Sequence, residues 1–133
     1  MEDCVFCKII KGEIPSYKIA EDDQFLAFLS IAPHHSGHTL VVPKSHTDYF
    51  FDLNDDQIAE IMHFSRPIAK ALKQVFNPKL GKVGVLVAGG EVPHVHVHLI
   101  PMDDEANLSF ASARHDVTEE EFLAVQQKIK SAL

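Results

Sequence analysis

Residues 94–100 read His-Val-His-Val-His-Leu-Ile, an alternation of histidine with branched apolar side chains. Because successive side chains of a β-strand point to opposite faces, the pattern predicts a strand with His94, His96 and His98 on one face and apolar side chains on the other. Neighbouring imidazoles on such a strand would lie about 7 Å apart. Other polar residues are commoner on exposed strands, so three histidines in register favour a chemical site over a solvated surface. Imidazole can act as a nucleophile, a proton shuttle or a metal ligand near neutral pH.

The segments around this strand predict an α+β fold with a five-stranded, mainly antiparallel sheet. The β-type runs are residues 16–21, 25–30, 38–43, 82–88 and 92–101. One long helix is predicted over residues 55–76, because Asn54 and Gln57 have the spacing of a capping box. Short helices are predicted near the two ends of the chain, over residues 4–11 and after Thr118. We expect the helices to cover one face of the sheet.

Composition and charge limit the classes of partner. The chain has 133 residues, 46% of them apolar and 23% charged, which fits one folded domain and argues against disorder. Nineteen acidic residues against twelve lysines and arginines give a net charge of -7, which disfavours binding to nucleic acid or to an anionic membrane. The sequence shows no secretory signal and no membrane-spanning run, so we expect a cytoplasmic protein. We treat residues 1–133 as one domain, with residues 103–133 as a C-terminal extension that ends in a helix.

The two cysteines, Cys4 and Cys7, fall on one face of the predicted N-terminal helix. In a chain without a secretory signal, this spacing indicates a metal or redox pair before it indicates a structural disulfide. A structural zinc site needs two further ligands. The alternative is a helical turn with two buried thiols and no metal, since free cysteine is often buried.

The remaining histidines and a second metal hypothesis carry less weight. His34 and His35 lie in a loop after Pro33, and we expect them to be solvated; the alternative is contact with the substrate, because loops often carry binding residues. A catalytic zinc held by all three histidines of residues 94–98 is disfavoured, because their spacing on a strand spreads the imidazoles over about 13 Å.

Two segments resemble the histidine-triad (HIT) family. Residues 94–100 look like its His-x-His-x-His motif followed by two apolar residues, and residues 37–44, Gly-His-Thr-Leu-Val-Val-Pro-Lys, look like the strand that carries its fourth histidine. The two segments together are a specific signature. With the Cys-x-x-Cys pair and the hairpin that follows it, the resemblance covers residues 3–102.

The resemblance implies a nucleotide phosphohydrolase or nucleotidyl transferase that acts at an α-phosphate, on a nucleoside phosphoramidate or a dinucleoside polyphosphate. It implies that His96 attacks phosphorus and forms a covalent nucleotidyl-histidine, that His38 holds the other ring nitrogen of His96, and that His98 contacts the phosphate oxygens. The alternative is a zinc-stabilised nucleotide-binding module with little or no turnover.

Three positions depart from the family pattern and bear on substrate binding. Gly90 and Glu91 stand where the family usually has glutamine and a small hydroxyl residue. Ser30 stands where the family has a ribose-binding aspartate, and its hydroxyl can still bind a sugar hydroxyl. We expect all three residues to contact the substrate.

The resemblance also implies a metal and an assembly. It implies a structural zinc ion, whose ligands would be Cys4, Cys7, His46 and His94. It further implies a homodimer in which two five-stranded sheets join, with the long helix at the interface. An isolated sheet would otherwise leave strand edges unpaired.

Overall fold

The computed structural model describes residues 3–133 and contains a five-stranded sheet and three α-helices. The strands are β1 Lys18–Glu21, β2 Phe25–Leu29, β3 Thr39–Pro43, β4 Lys82–Leu86 and β5 Val97–Met102. The helices are α1 Val5–Ile10, α2 Asp55–Phe76 and α3 Glu119–Ala132. All neighbouring strands are antiparallel in the order β1-β2-β3-β5-β4, so the predicted fold class is confirmed. No helix within residues 3–133 is both long and apolar enough to span a membrane.

Both faces of the sheet are covered, whereas the sequence predicted cover on one face only. Helices α2 and α3 pack on the face that includes Val95, Val97 and Leu99. The other face includes Leu40 and is covered by α1 through Phe6. The central strands β2 and β3 are therefore buried along their whole length. The alternation in residues 94–100 gives the sheet a buried side chain on each face, because it directs the valines towards the long helix and the histidines towards α1.

Helix α2 has the bounds that its capping residues predict. The Asn54 side chain accepts a hydrogen bond from the Gln57 N–H (2.8 Å), and the Gln57 side chain accepts one from the Asn54 N–H (3.0 Å). This reciprocal pair satisfies two backbone donors that would otherwise lack partners. At the other end, Phe76 packs directly over Gly37, the residue before His38. The long helix therefore fixes the position of one histidine of the site.

The last strand is shorter than predicted. Strand β5 begins at Val97, so His94 and His96 lie in an irregular segment before it, tied to the preceding loop by a hydrogen bond from the Val95 N–H to the Thr47 carbonyl (2.7 Å). The rings of His96 and His98 are 5.0 Å apart rather than the expected 7 Å. Leaving the strand geometry early brings these two imidazoles close enough to act on one group.

The C-terminal extension returns across the sheet. Phe122 of α3 belongs to the main core and stacks on Tyr17 with ring centroids 4.8 Å apart. Before α3, the Arg114 N–H donates to the Pro33 carbonyl (3.0 Å), beside the loop that carries His34. Two 3₁₀ turns, Glu105–Leu108 and Phe110–Ser112, lie in this stretch. Residues 105–115 are called the C-terminal wall below.

Gly37→Ala should destabilise the fold by about 1–3 kcal/mol, measured by urea unfolding. Gly37 has φ +86°, and an added Cβ would collide with the Phe76 ring. Gly12→Ala is the matched control, because Gly12 has a similar φ of +80° but open space around the added Cβ. Equal losses in the two variants would show that the contact with Phe76 contributes nothing.

Candidate active site and metal site

Four residues from three parts of the chain converge under α1. Cys4 caps α1, Cys7 lies on its inner face, and His46 and His94 approach from the segments after β3 and before β5. One potential ligand atom from each residue lies within 4.8 Å of all the others. The structure thus brings together the four residues that the resemblance implies as metal ligands.

The distances match those of a tetrahedral ion. Zinc binds sulfur at about 2.3 Å and nitrogen at about 2.0–2.1 Å, so a tetrahedral site places a sulfur and a nitrogen about 3.6 Å apart and two nitrogens about 3.3 Å apart. The Cys4 Sγ–His94 Nδ1 distance is 3.4 Å, and the Cys7 Sγ–His46 Nδ1 distance is 3.2 Å. The two Nδ1 atoms are 3.2 Å apart. This ligand set suits a structural zinc ion.

The tautomer of His94 also fits a metal. Its Nε2 lies 2.8 Å from the Pro43 carbonyl oxygen, which can only accept, so Nε2 carries the proton and Nδ1 presents a lone pair to the cluster. Burial lowers the pKa of His94 and so favours the neutral ring that a metal requires. The side chain of His94 therefore turns towards the cysteines, which also excludes a zinc ion shared by the three histidines of the triad.

A chain of hydrogen bonds fixes the protons on two other histidines. The His34 backbone N–H donates to His38 Nδ1 (3.0 Å), so the proton of neutral His38 is on Nε2. His38 Nε2 donates to His98 Nδ1 (2.9 Å), so the proton of His98 is on Nε2 in turn. Within residues 3–133, His98 Nε2 is the buried side-chain atom that has no hydrogen-bond partner. An unpaired buried donor is costly, which indicates a ligand acceptor such as a phosphate oxygen.

His96 has the opposite arrangement. Its Nδ1 donates to the carbonyl of His94 (2.7 Å), so its Nε2 carries the lone pair. Its ring packs edge-on against Phe6 with centroids 5.0 Å apart, and the residue is 6% exposed. The site therefore pairs an unprotonated nitrogen on His96 with a protonated nitrogen on the neighbouring His98.

Two buried histidines of the site, His38 and His98, are neutral at physiological pH. Burial, reinforced by the neighbouring imidazoles, lowers the pKa of His38 to about 2 and the pKa of His98 to about 4. The proton positions inferred for His38 and His98 therefore hold over the physiological pH range.

These histidines open into a pocket of about 490 Å³, a size that suits a small-molecule ligand. Its apolar side includes Phe6 and Phe28, and its polar side includes Ser30, Glu91 and the histidines. None of the described lining residues is lysine or arginine. Gly90 lies exposed beside Glu91 and is not among those lining residues, so its substrate contact stays a prediction.

Comparison with known proteins identifies the family. The family model of the HIT domain matches residues 11–105 of the chain. The chain belongs to the HIT domain family. It is 37% identical over 131 residues to a Schizosaccharomyces pombe protein named adenosine 5'-monophosphoramidase, with 98% of each chain covered.

Solved structures of HIT proteins share the fold over nearly the whole chain. A Hit-like protein from Bartonella henselae has a TM-score of 0.83 and 29% identity, with 100% of this chain and 98% of that chain covered. A zinc-bound histidine triad family protein from Mycobacterium smegmatis has a TM-score of 0.82 and 30% identity, with 98% and 93% covered. The C-terminal extension lies within the aligned part in both cases.

Two expectations about this HIT protein are wrong. His38 does not hold the ring of His96; it binds His98, and the His94 carbonyl binds His96 instead. His34 is not solvated: it is 5% exposed and lines the pocket. His35 also makes protein contacts, since its Nε2 lies 3.0 Å from an oxygen of Asp103. The sequence carries no local signal for the contacts of His34, His35 and His38 with Asn107, Asp103 and His98, because these partners are 60 or more positions away.

Acidification should destabilise this HIT protein between pH 6.5 and pH 5. The pKa of His98 is lowered to about 4 by folding, so the unfolded chain binds more protons in this window and stability falls as the pH falls. From an unfolded pKa of about 6.5, the loss from one such histidine is about 2 kcal/mol at pH 5. Urea unfolding with excess zinc measures it.

The His98→Asn variant should show a flatter dependence of stability on pH. The His63→Asn variant is the control, because His63 is exposed on α2. An unchanged slope in the first variant would contradict the assignment of a buried, neutral His98.

Proposed function

We propose that this HIT protein hydrolyses nucleoside 5'-phosphoramidates through a covalent nucleotidyl-histidine on His96. The observation that carries the proposal is the pair formed by the unprotonated Nε2 of His96 and the partnerless, protonated Nε2 of His98 in one pocket. Phosphoryl transfer through a covalent intermediate requires a nucleophile and a donor that stabilises charge on the phosphate oxygens.

In the proposed reaction, His96 Nε2 forms a bond to the α-phosphorus while the phosphorus–nitrogen bond to the leaving amine breaks. The amine takes a proton from solvent and departs. His98 Nε2–H donates to a phosphate oxygen and stabilises its growing charge. Water then attacks phosphorus, the phosphorus–histidine bond breaks, and the proton lost by water balances the one taken by the amine. The products are a nucleoside monophosphate and a free amine.

The charge of the pocket favours a phosphoramidate over a dinucleoside polyphosphate. A phosphoramidate carries one negative charge, whereas a polyphosphate carries one for each phosphate. The described lining residues include the neutral imidazoles of His38 and His98 and the Glu91 carboxylate, with no lysine or arginine to neutralise several charges. The name of the Schizosaccharomyces pombe relative, an adenosine 5'-monophosphoramidase, supports the same substrate class.

Ser30 and Glu91 are proposed as substrate contacts. Both line the pocket. Ser30 Oγ accepts a hydrogen bond from the Ala32 N–H (3.2 Å), and its hydroxyl proton remains available to a substrate. The Glu91 carboxylate would repel a phosphate, so we place it beside the leaving amine, where a negative charge is favourable.

We propose that Cys4, Cys7, His46 and His94 hold zinc in the living cell. Zinc at this site would be structural: with four protein ligands, it would join α1 to the segments around β3 and β5 and add its binding energy to folding. The zinc-bound relative from Mycobacterium smegmatis supports this assignment.

Two further predictions concern assembly and location. Strand β4 is an edge of the sheet with Val85 50% exposed on it, and we propose that it pairs with β4 of a second copy. Sedimentation equilibrium at micromolar concentration measures this, and a monomer would contradict it. A cytoplasmic location stays a prediction from the sequence.

His96→Ala should abolish hydrolysis of adenosine 5'-phosphoramidate while the protein stays folded. His98→Ala should slow turnover about 100-fold, because one donor to the phosphate is lost. His63→Ala, on the exposed face of α2, should leave the rate unchanged. A trapped adduct, located by mass spectrometry, should map to the peptide that contains His96. Turnover by His96→Ala would overturn the mechanism, and tight nucleotide binding without turnover by the native protein would favour the binding module.

His46→Asn should lower both the zinc content and the melting temperature. Loss of a ligand weakens the link between α1 and the sheet, and we expect a fall of about 5 °C or more. His63→Asn is again the control. Metal analysis of protein purified without chelator measures occupancy, and a value far below one equivalent in the native protein would contradict the zinc site.

A further inference from the structure

His34 is the buried histidine of the pocket to which the proposed mechanism gives no role. It is 5% exposed and lines the pocket beside the catalytic histidines. Its ring lies 4.6 Å from the ring of His38 and 6.3 Å from that of His98. Phe110, from the C-terminal wall, packs edge-on against it at 5.3 Å. Three aromatic neighbours, His38, His98 and Phe110, thus hold the ring in place.

Asn107 fixes the proton of this ring. The Asn107 backbone carbonyl lies 2.8 Å from His34 Nδ1, and a carbonyl can only accept, so Nδ1 is the protonated nitrogen. The Asn107 side-chain amide donates back to the His34 carbonyl (3.1 Å). Its Oδ1 accepts from the N–H groups of Asp103 and Asp104 at 2.9 and 3.0 Å, so Asn107 is itself held in place. The other nitrogen of His34, Nε2, is left as an acceptor with a fixed direction.

An unprotonated Nε2 needs a donor from the substrate. It would repel phosphate oxygens, which His98 Nε2–H attracts. Close to the phosphate, a nucleoside phosphoramidate carries donors on two groups, namely the sugar hydroxyls and the leaving amine. His34 lies with Ser30 in the loop between β2 and β3, and both residues line the pocket, whereas the mechanism places Glu91 beside the leaving amine. Ser30 stands where the HIT family has a ribose-binding aspartate. The sugar is therefore the group that we assign to His34.

We propose that His34 Nε2 accepts a hydrogen bond from a sugar hydroxyl and so makes the protein selective for ribonucleotides over deoxyribonucleotides. The inference rests on the proposed function. Ser30 Oγ already accepts one hydrogen bond from the Ala32 N–H and can donate its proton, and His34 adds an acceptor nitrogen for a sugar hydroxyl in the same loop. The C-terminal wall, through Asn107 and Phe110, sets this selectivity although it carries none of the triad.

The test compares kcat/KM for adenosine, 2'-deoxyadenosine and 3'-deoxyadenosine 5'-phosphoramidates. The native protein should prefer the ribonucleotide over at least one deoxynucleotide by about 10-fold, the effect of one neutral hydrogen bond. His34→Phe keeps an aromatic ring in the packing but has no acceptor, and should reduce the preference to about twofold or less by slowing the ribonucleotide alone. His34→Gln, which restores an acceptor oxygen, should recover part of the preference.

His35→Phe is the matched control. His35 is the next residue, it contacts Asp103, and it does not line the pocket, so its variant should keep the native preference. The Asn107→Ala variant should lose part of the preference for the ribonucleotide, because its His34 ring is less firmly held. If His34→Phe does not fold, as judged by circular dichroism, His34→Leu takes its place.

The outcomes separate this inference from the proposed function. Turnover without sugar preference, or a preference that His34→Phe leaves intact, overturns the role of His34 and leaves the hydrolase standing. If the loss of kcat/KM in His34→Phe depends on the amine of the phosphoramidate and not on its sugar, the role of His34 is also overturned. If no phosphoramidate is turned over, the proposed function fails, and calorimetric binding of adenosine and deoxyadenosine monophosphates to the same variants then decides the role of His34.

Discussion

The hydrogen bond from His96 Nδ1 to the His94 carbonyl is the constraint on which the site depends. It determines which nitrogen of His96 is free to react, and it does so through a backbone atom that cannot change its protonation state. The same residue, His94, contributes its ring to the cysteine cluster and is tied to β3 through Pro43. The position of His96, the proposed nucleophile, is thereby coupled to the metal site and to the sheet, and a disturbance at one of them reaches the others through His94.

A chain of hydrogen bonds, each donated in the same direction, fixes the proton positions of the site. A backbone N–H at His34 fixes His38, and His38 fixes His98, whose remaining N–H faces the pocket. Because burial keeps these rings neutral, the donor is present before substrate arrives and needs no rearrangement. A preorganised donor of this kind stabilises developing charge more effectively than solvent, which must reorient.

The parts of this structure that sequence predicts are those set by local patterns. The start of α2 follows from Asn54 and Gln57, and the two faces of residues 94–100 follow from strand alternation. The metal cluster was reached only through the family resemblance, since Cys4 and His94 are 90 positions apart. The burial of His34 was missed because its partner Asn107 is 73 positions away and is an ordinary surface-type residue in the sequence. The early end of the strand geometry before Val97 was missed because valine–histidine alternation continues through it.

The proposed reaction uses histidines on or beside β5, whereas the proposed selectivity depends on the C-terminal wall, and this separation has an evolutionary consequence. The histidines proposed to react are on or beside a central strand, where substitutions disturb the core, whereas Phe110 and Asn107 belong to short turns that follow the sheet. Such turns tolerate insertion and exchange far better than a buried strand does. A lineage can therefore acquire new substrates by replacing a dozen residues after the triad, with its reaction chemistry inherited unchanged.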